Sequence, residues 1–331
     1  MGGANSISLE AILDSGCVTE DNVLRLRHAF FQDGDISRHE AETLFDINRS
    51  CTEQDDGWPQ FFIEALTDFI VHQEQPQGYV TVENADWLIA RVFEDGHVET
   101  RTEFELVIKV LDEARWSPDR LVKFALDQVK IAVVSGAGPL RSGSELSPGV
   151  IGGAEVEILR HILYASSGDG NIAVTRAEAE VLFDINDATS EAENDPSWSD
   201  LFVKAVANHL MAACGYRVPP REEALRLERW VEERDGTLGF MQKMVSGGLS
   251  GIWNVYQKQS AEERALERLE AQKREIIIAE ALTEPEADWL SERIGRDGTL
   301  HENEKALLSF LREESPDLHP SLEPLMKQLA A

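Results

Sequence analysis

The sequence predicts an all-α fold, a helical bundle of repeated helix–Asp-Gly turn–helix units in two related halves. Three observations carry that expectation. Apolar residues recur three and four apart, as in LVKFALDQVKIAVV, the spacing of a buried helix face. The chain repeats itself, since EAETLFDIN at 40–48 returns as EAEVLFDIN at 178–186. The Asp-Gly pairs at 33, 95, 169, 235 and 297 each stand between helical stretches. No two alternating strands joined by an Asn-Gly-type turn occur. Strand is expected only as short pieces at the aliphatic residue after each pair: Ile36, Val98, Ile172, Leu238 and Leu300.

Taken in order, residues 1–135 form the first half, with two turns. Its EAETLFDIN helix is followed by a polar loop, Trp58 and the apolar helix GWPQFFIEALTDFIVH. An ADWL helix, from Glu83, then leads to Asp95-Gly96 and through a further helix to a break at Ser117-Pro118. Residues 136–153, GAGPLRSGSELSPGVIGG, read as a linker because glycine, proline and serine interrupt any periodicity. The second half, 154–331, repeats the order with three turns. EAEVLFDIN precedes SWSDLFVKAVANHLMA, and a second ADWL helix from Pro285 leads to Asp297-Gly298 and a break at Ser315-Pro316. Residues 253–282 interleave Glu with Arg and Lys and read as an inserted charged helix, packed on one side, docking a partner or forming a dimer. Trp58, Trp87, Trp198 and Trp289 stand at matching places and are expected to anchor cores.

The turns invite comparison with a calcium loop, which places oxygen ligands at positions 1, 3, 5, 7, 9 and 12 around a glycine at 6. With Gly34 at 6, Asp33, Ser37 and Glu40 fall at 5, 9 and 12, and Asp35 lies between them. Positions 1 and 3 are Ala29 and Phe31, which offer no side-chain oxygen. The other turns supply Asp95 with Glu103, Asp169 with Asn171 and Glu178, Asp235 alone, and Asp297 with Glu304. None has an acid at position 1. These residues are the candidate ligands for calcium or another divalent cation.

A mechanical reading explains the same residues without an ion. Glycine closes one helix in the left-handed conformation, the aliphatic residue packs inward, and a capping box starts the next helix. Ser37 with Glu40, Thr100 with Glu103 and Thr175 with Glu178 have the required spacing, as does Thr283 with Glu286. Glu42 and Asp46, repeated as Glu180 and Asp184, add acids to one helix face; either a cation or a basic partner offsets their repulsion, or the face is solvated and water screens it.

The repeated DG-x-[ILV]-[ST]-x-x-E pattern between helices resembles the tellurite-resistance TerB-like proteins and also degenerate EF-hands. The best copies are Asp33-Gly34-Asp35-Ile36-Ser37 with Glu40, and Asp297-Gly298-Thr299-Leu300 with Glu304. That resemblance implies a helical bundle with at most weak divalent-cation binding and a role in stress response or protein contact.

Composition narrows the function classes. Sixty-one acidic against 31 basic residues give a net charge of -30, which disfavours nucleic acid and anionic lipid and favours cations, basic proteins or simple solubility through an acidic solvated surface. Cys17, Cys51 and Cys214 form no CxxC and suit a reducing, cytoplasmic compartment. No apolar run has membrane-spanning length. MGGANSISLEAIL lacks the basic and apolar regions of a signal peptide, although MGGANS matches the loose myristoylation pattern. Enzyme motifs fail on particular residues: Thr43 and Lys305 stand where HExxH needs its second histidine, and Arg141 where GxGxxG needs its third glycine. The expectation is a non-enzymatic acidic interaction or scaffold protein, cation-responsive through its turns and bound to a protein partner. The alternative is a metal-dependent enzyme with a carboxylate-lined site between the halves.

Overall fold

The structure is a computed structural model. It describes residues 9–33, 36–93, 97–141, 146–165, 173–213, 284–296, 298–314 and 320–329, most of them in helices. The chain divides into two compact units. Unit 1 is Met1–Pro148 with His161–Gly168, and unit 2 is Gly149–Arg160 with Asp169–Ala331. The division falls inside 136–153, where Arg141 and Ile151 are buried.

Unit 1 begins with α1 (Leu9–Ser15), β1 (Cys17–Val18), α2 (Glu20–Asp33), α3 (Arg38–Ser50) and β2 (Glu53–Gln54). Next come α4 (Trp58–Thr67) and a π-helical turn, Asp68–Gln73. The unit is completed by α5 (Val82–Val92), α6 (Arg101–Glu113), α7 (Asp119–Ser135) and a 3-10 turn, Pro139–Arg141. The helix α8 (Gly153–Ala165) begins in unit 2 and ends in unit 1. Unit 2 continues with α9 (Arg176–Thr189), α10 (Pro196–Ala213), α11 (Glu284–Arg293), α12 (Glu302–Glu314), the 3-10 turn Pro320–Leu322 and α13 (Glu323–Leu329).

Each core is built on aromatic rings brought in by apolar spacing. In unit 1, Phe45 of α3 meets Phe62 of α4 edge-on at 5.2 Å and Trp87 of α5 edge-on at 5.8 Å. In unit 2, Phe183 of α9 meets Phe202 of α10 at 5.0 Å and Trp289 of α11 at 5.8 Å, again edge-on. Trp58, Trp198 and Trp289 are buried, and Trp87 is half-buried. Edge-to-face pairs add roughly 0.5–1.5 kcal/mol each beyond the area they remove from water. On α7, Leu121, Val122, Ala125, Leu126, Val129, Ala132 and Val133 are buried, as the three-and-four spacing predicts. Gly136 closes that helix at φ +66, and a Cβ there would lie 2.8 Å from Pro148.

The strands are not where the sequence placed them. Among the described residues, β1 and β2 form the one sheet, a parallel pair with Cys17 opposite Glu53. Ile36, Val98 and Leu300 lie in irregular backbone, while Ile172 and Leu238 fall outside the described residues. Ile36 shows the reason, because a side chain takes the amide a partner strand would need. Its N–H donates to Gln73 Oε1 at 2.6 Å. The inward packing was legible at Ile36 and Val98, which are both buried, while Leu300 is half-buried. Residues 253–282, the expected charged helix, also lie outside the described residues.

Candidate functional site

The Asp-Gly corners and the acidic helix face beside them are the candidate site, and four of its glutamates can be followed atom by atom. Glu40 Oε2 accepts the Ser37 N–H at 2.8 Å, and Ser37 Oγ accepts the Glu40 N–H at 3.3 Å. The same reciprocal pair joins Thr100 to Glu103 and Thr175 to Glu178. Ser37, Thr100 and Thr175 have extended backbone, which aims each hydroxyl at the first free amides of its helix. Glu304 spans the whole last corner. Its Oε1 accepts the Gly295 N–H and its Oε2 the His301 N–H, both at 2.9 Å.

That corner corrects one detail of the turn. Gly295, φ +65, is the left-handed residue just past α11, while Gly298, φ +88, closes the following turn by donating to Gly295 O at 2.8 Å. The helix therefore ends before Asp297, not at Asp297-Gly298. Of the remaining candidate ligands, Asp33 ends α2. Asp35, Asp95, Asp169, Asn171, Asp235 and Asp297 fall outside the described residues, as does Thr283. Among the described residues, no three His, Cys, Asp or Glu side chains gather as a metal-holding group.

Burial sets the electrostatics. Glu103, Glu178 and Glu304 are buried. Burial pushes the Glu304 carboxyl above its ordinary value, against two backbone amides that favour the charge. Glu103 is offset by Arg49, whose Nε donates to Oε1 at 3.0 Å. The Arg49 guanidinium also reaches the carbonyl of Arg91 at the end of α5.

Part of the acidic helix face is paired with arginine from within each unit. Arg91 of α5 lies 3.1 Å from Glu42 of α3. Slight burial raises the Glu42 carboxyl, but the Arg91 hydrogen bond and charge outweigh it and hold the group below its ordinary value. In unit 2, Arg293 of α11 meets three carboxylates of α9: Glu180 at 3.1 Å, Asp184 at 2.6 Å and Asp187 at 2.6 Å. Its side chain is only 4% exposed, and its guanidinium lies 5.1 Å from the Phe183 ring centre. The Trp289 indole N–H donates to Glu180 as well. Three carboxylates share the Arg293 guanidinium.

Asn48 and Asn186 tie the same two helices, α3 and α9, to other neighbours. Asn48 Oδ1 accepts the Trp58 indole N–H at 3.1 Å, and its amide donates to Thr100 Oγ1 at 3.3 Å. Asn186 Oδ1 accepts from Asn303 at 2.8 Å. Asp195 starts α10 by accepting the Ser197 hydroxyl and amide, which hold its carboxyl below its ordinary value.

Sequence reasoning found the caps and missed the arginines. The signal was present: Arg91 and Arg293 both stand six residues after the alanine of an ADWL helix, matching acids at Glu42 and Glu180. Comparison with protein families, characterised proteins and solved structures found no match.

Proposed function

We propose that the chain is a non-enzymatic, acidic helical interaction protein whose Asp-Gly corners are joints between helices. The two units are read as copies of one pattern, because Phe45, Phe62 and Trp87 in one and Phe183, Phe202 and Trp289 in the other make the same edge-on ring contacts. One observation carries the joint reading. At the four described helix starts that follow the candidate Asp-Gly pairs, the glutamate offered as a calcium ligand spends its carboxylate on the backbone amide that begins the helix. An ion must displace those bonds and still lacks acids at the first position, so calcium or another divalent cation binds only weakly at the corners.

The acidic surface supports a basic protein as the partner class. The corresponding test is salt-dependent binding to a panel of purified basic and acidic proteins, with affinity for the basic set alone falling as salt rises. Thermal melting tests the joints. Millimolar calcium or magnesium, compared with chelator, is expected to leave the midpoint within about 2 °C. A shift of several degrees would replace the joint reading with a cation site.

A further inference from the structure

The rings that meet the ADWL tryptophans differ between the units in one chemically telling way. In unit 1, Phe69 meets Trp87 at 5.6 Å. In unit 2 the matching position is His209, which meets Trp289 edge-on at 5.2 Å. The facing helix changes with it, because buried Asn84 of α5 corresponds to Glu286 of α11. A neutral pair in one unit is therefore a histidine–carboxylate pair in the other.

His209 is buried, and both of its ring nitrogens face acceptors. Nδ1 is 2.8 Å from the Val174 carbonyl, and Nε2 is 3.2 Å from Glu286 Oε2. A neutral imidazole carries one N–H and serves only one of them; an imidazolium serves both. The Val174 carbonyl lies just before α9, and the neighbouring Asn208 accepts the Val174 N–H at 2.8 Å. His209 thus ties the start of α9 to α11 through a proton.

We propose that His209 is a proton-dependent latch in unit 2, absent from unit 1, that holds α11 against α10 when protonated and loosens it when neutral. This goes beyond the interaction role, which concerns the acidic surface.

The charged groups on the surrounding elements are engaged in other contacts. From α9, Arg176 lies 5.1 Å from the Trp289 ring centre, Glu178 caps its own helix and Glu180 meets Arg293. From α12, Glu304 accepts the Gly295 and His301 amides. On α10 itself, Asp200 pairs with Lys204. His301, at the start of α12, is a second histidine in unit 2, so variants at position 209 must isolate the effect.

The experiment is hydrogen exchange of the α11 amides, corrected for intrinsic rate, between about pH 5 and 8. Wild-type protection at Ala287–Leu290 is expected to fall about tenfold as pH rises, the loss of one charge-assisted hydrogen bond. His209→Phe, and the double change His209→Phe with Glu286→Asn that installs the pair of unit 1, are expected to remove that dependence. The double variant keeps the test valid should the single change unfold the unit. Equal pH dependence in wild type and double variant, or none in wild type, would overturn the latch.

Discussion

Arg293 shows how much rests on single side chains. It is a buried cation serving three carboxylates and stacking on Phe183, and a planar guanidinium suits that geometry where a lysine ammonium does not. Replacing it with methionine leaves three half-exposed acids facing one another. Solvent screens them in part, so the expected loss is about 2 kcal/mol rather than the full cost of orphaning a buried charge. Arg293→Lys should lose about half of that, read by urea denaturation. Glu304 gives a pH signature. Its carboxyl is raised above its ordinary 4.5, so the folded state holds the proton more tightly than the unfolded state. The stability advantage of wild type over Glu304→Gln should therefore shrink as pH rises from 4.5 into the range just above, then level off. An advantage that grows with pH over that range would show the buried carboxylate to be favoured in its charged form.

At the scale of elements, the capping boxes are independent local devices. Ser37→Ala, Thr100→Ala and Thr175→Ala should each destabilise by about 1 kcal/mol in chemical denaturation, and combined changes at Ser37 and Thr175 should add. These boxes were legible because spacing within four residues fixes them, and the helices were legible because burial imposes period 3.6 on the sequence. The β1–β2 pair was not, since two residues carry no alternation and Cys17 finds Glu53 only through the fold. The arginine network was hidden for a related reason. Arg293 meets acids more than a hundred positions away, and no local pattern states that pairing. His209 reads in sequence as one more residue of an apolar helix, and only the ring it meets in each unit reveals the exchange with Phe69.

For the whole molecule, packing leaves a large excess of negative charge unbalanced. With a net charge of -30, the compact state repels itself, and the internal arginines offset only the acids beside them. Raising sodium chloride from low to about 0.5 M should therefore raise the melting midpoint by a few degrees, because the Debye length shrinks to well under about 10 Å. A falling midpoint would mean that the exposed ion pairs outweigh the general repulsion. The central claim is that the corners are joints whose glutamates serve backbone amides. Equilibrium dialysis of the chelator-treated protein against micromolar calcium tests it most directly. The account predicts no stoichiometric uptake; one or more ions held per unit at micromolar free calcium would contradict it.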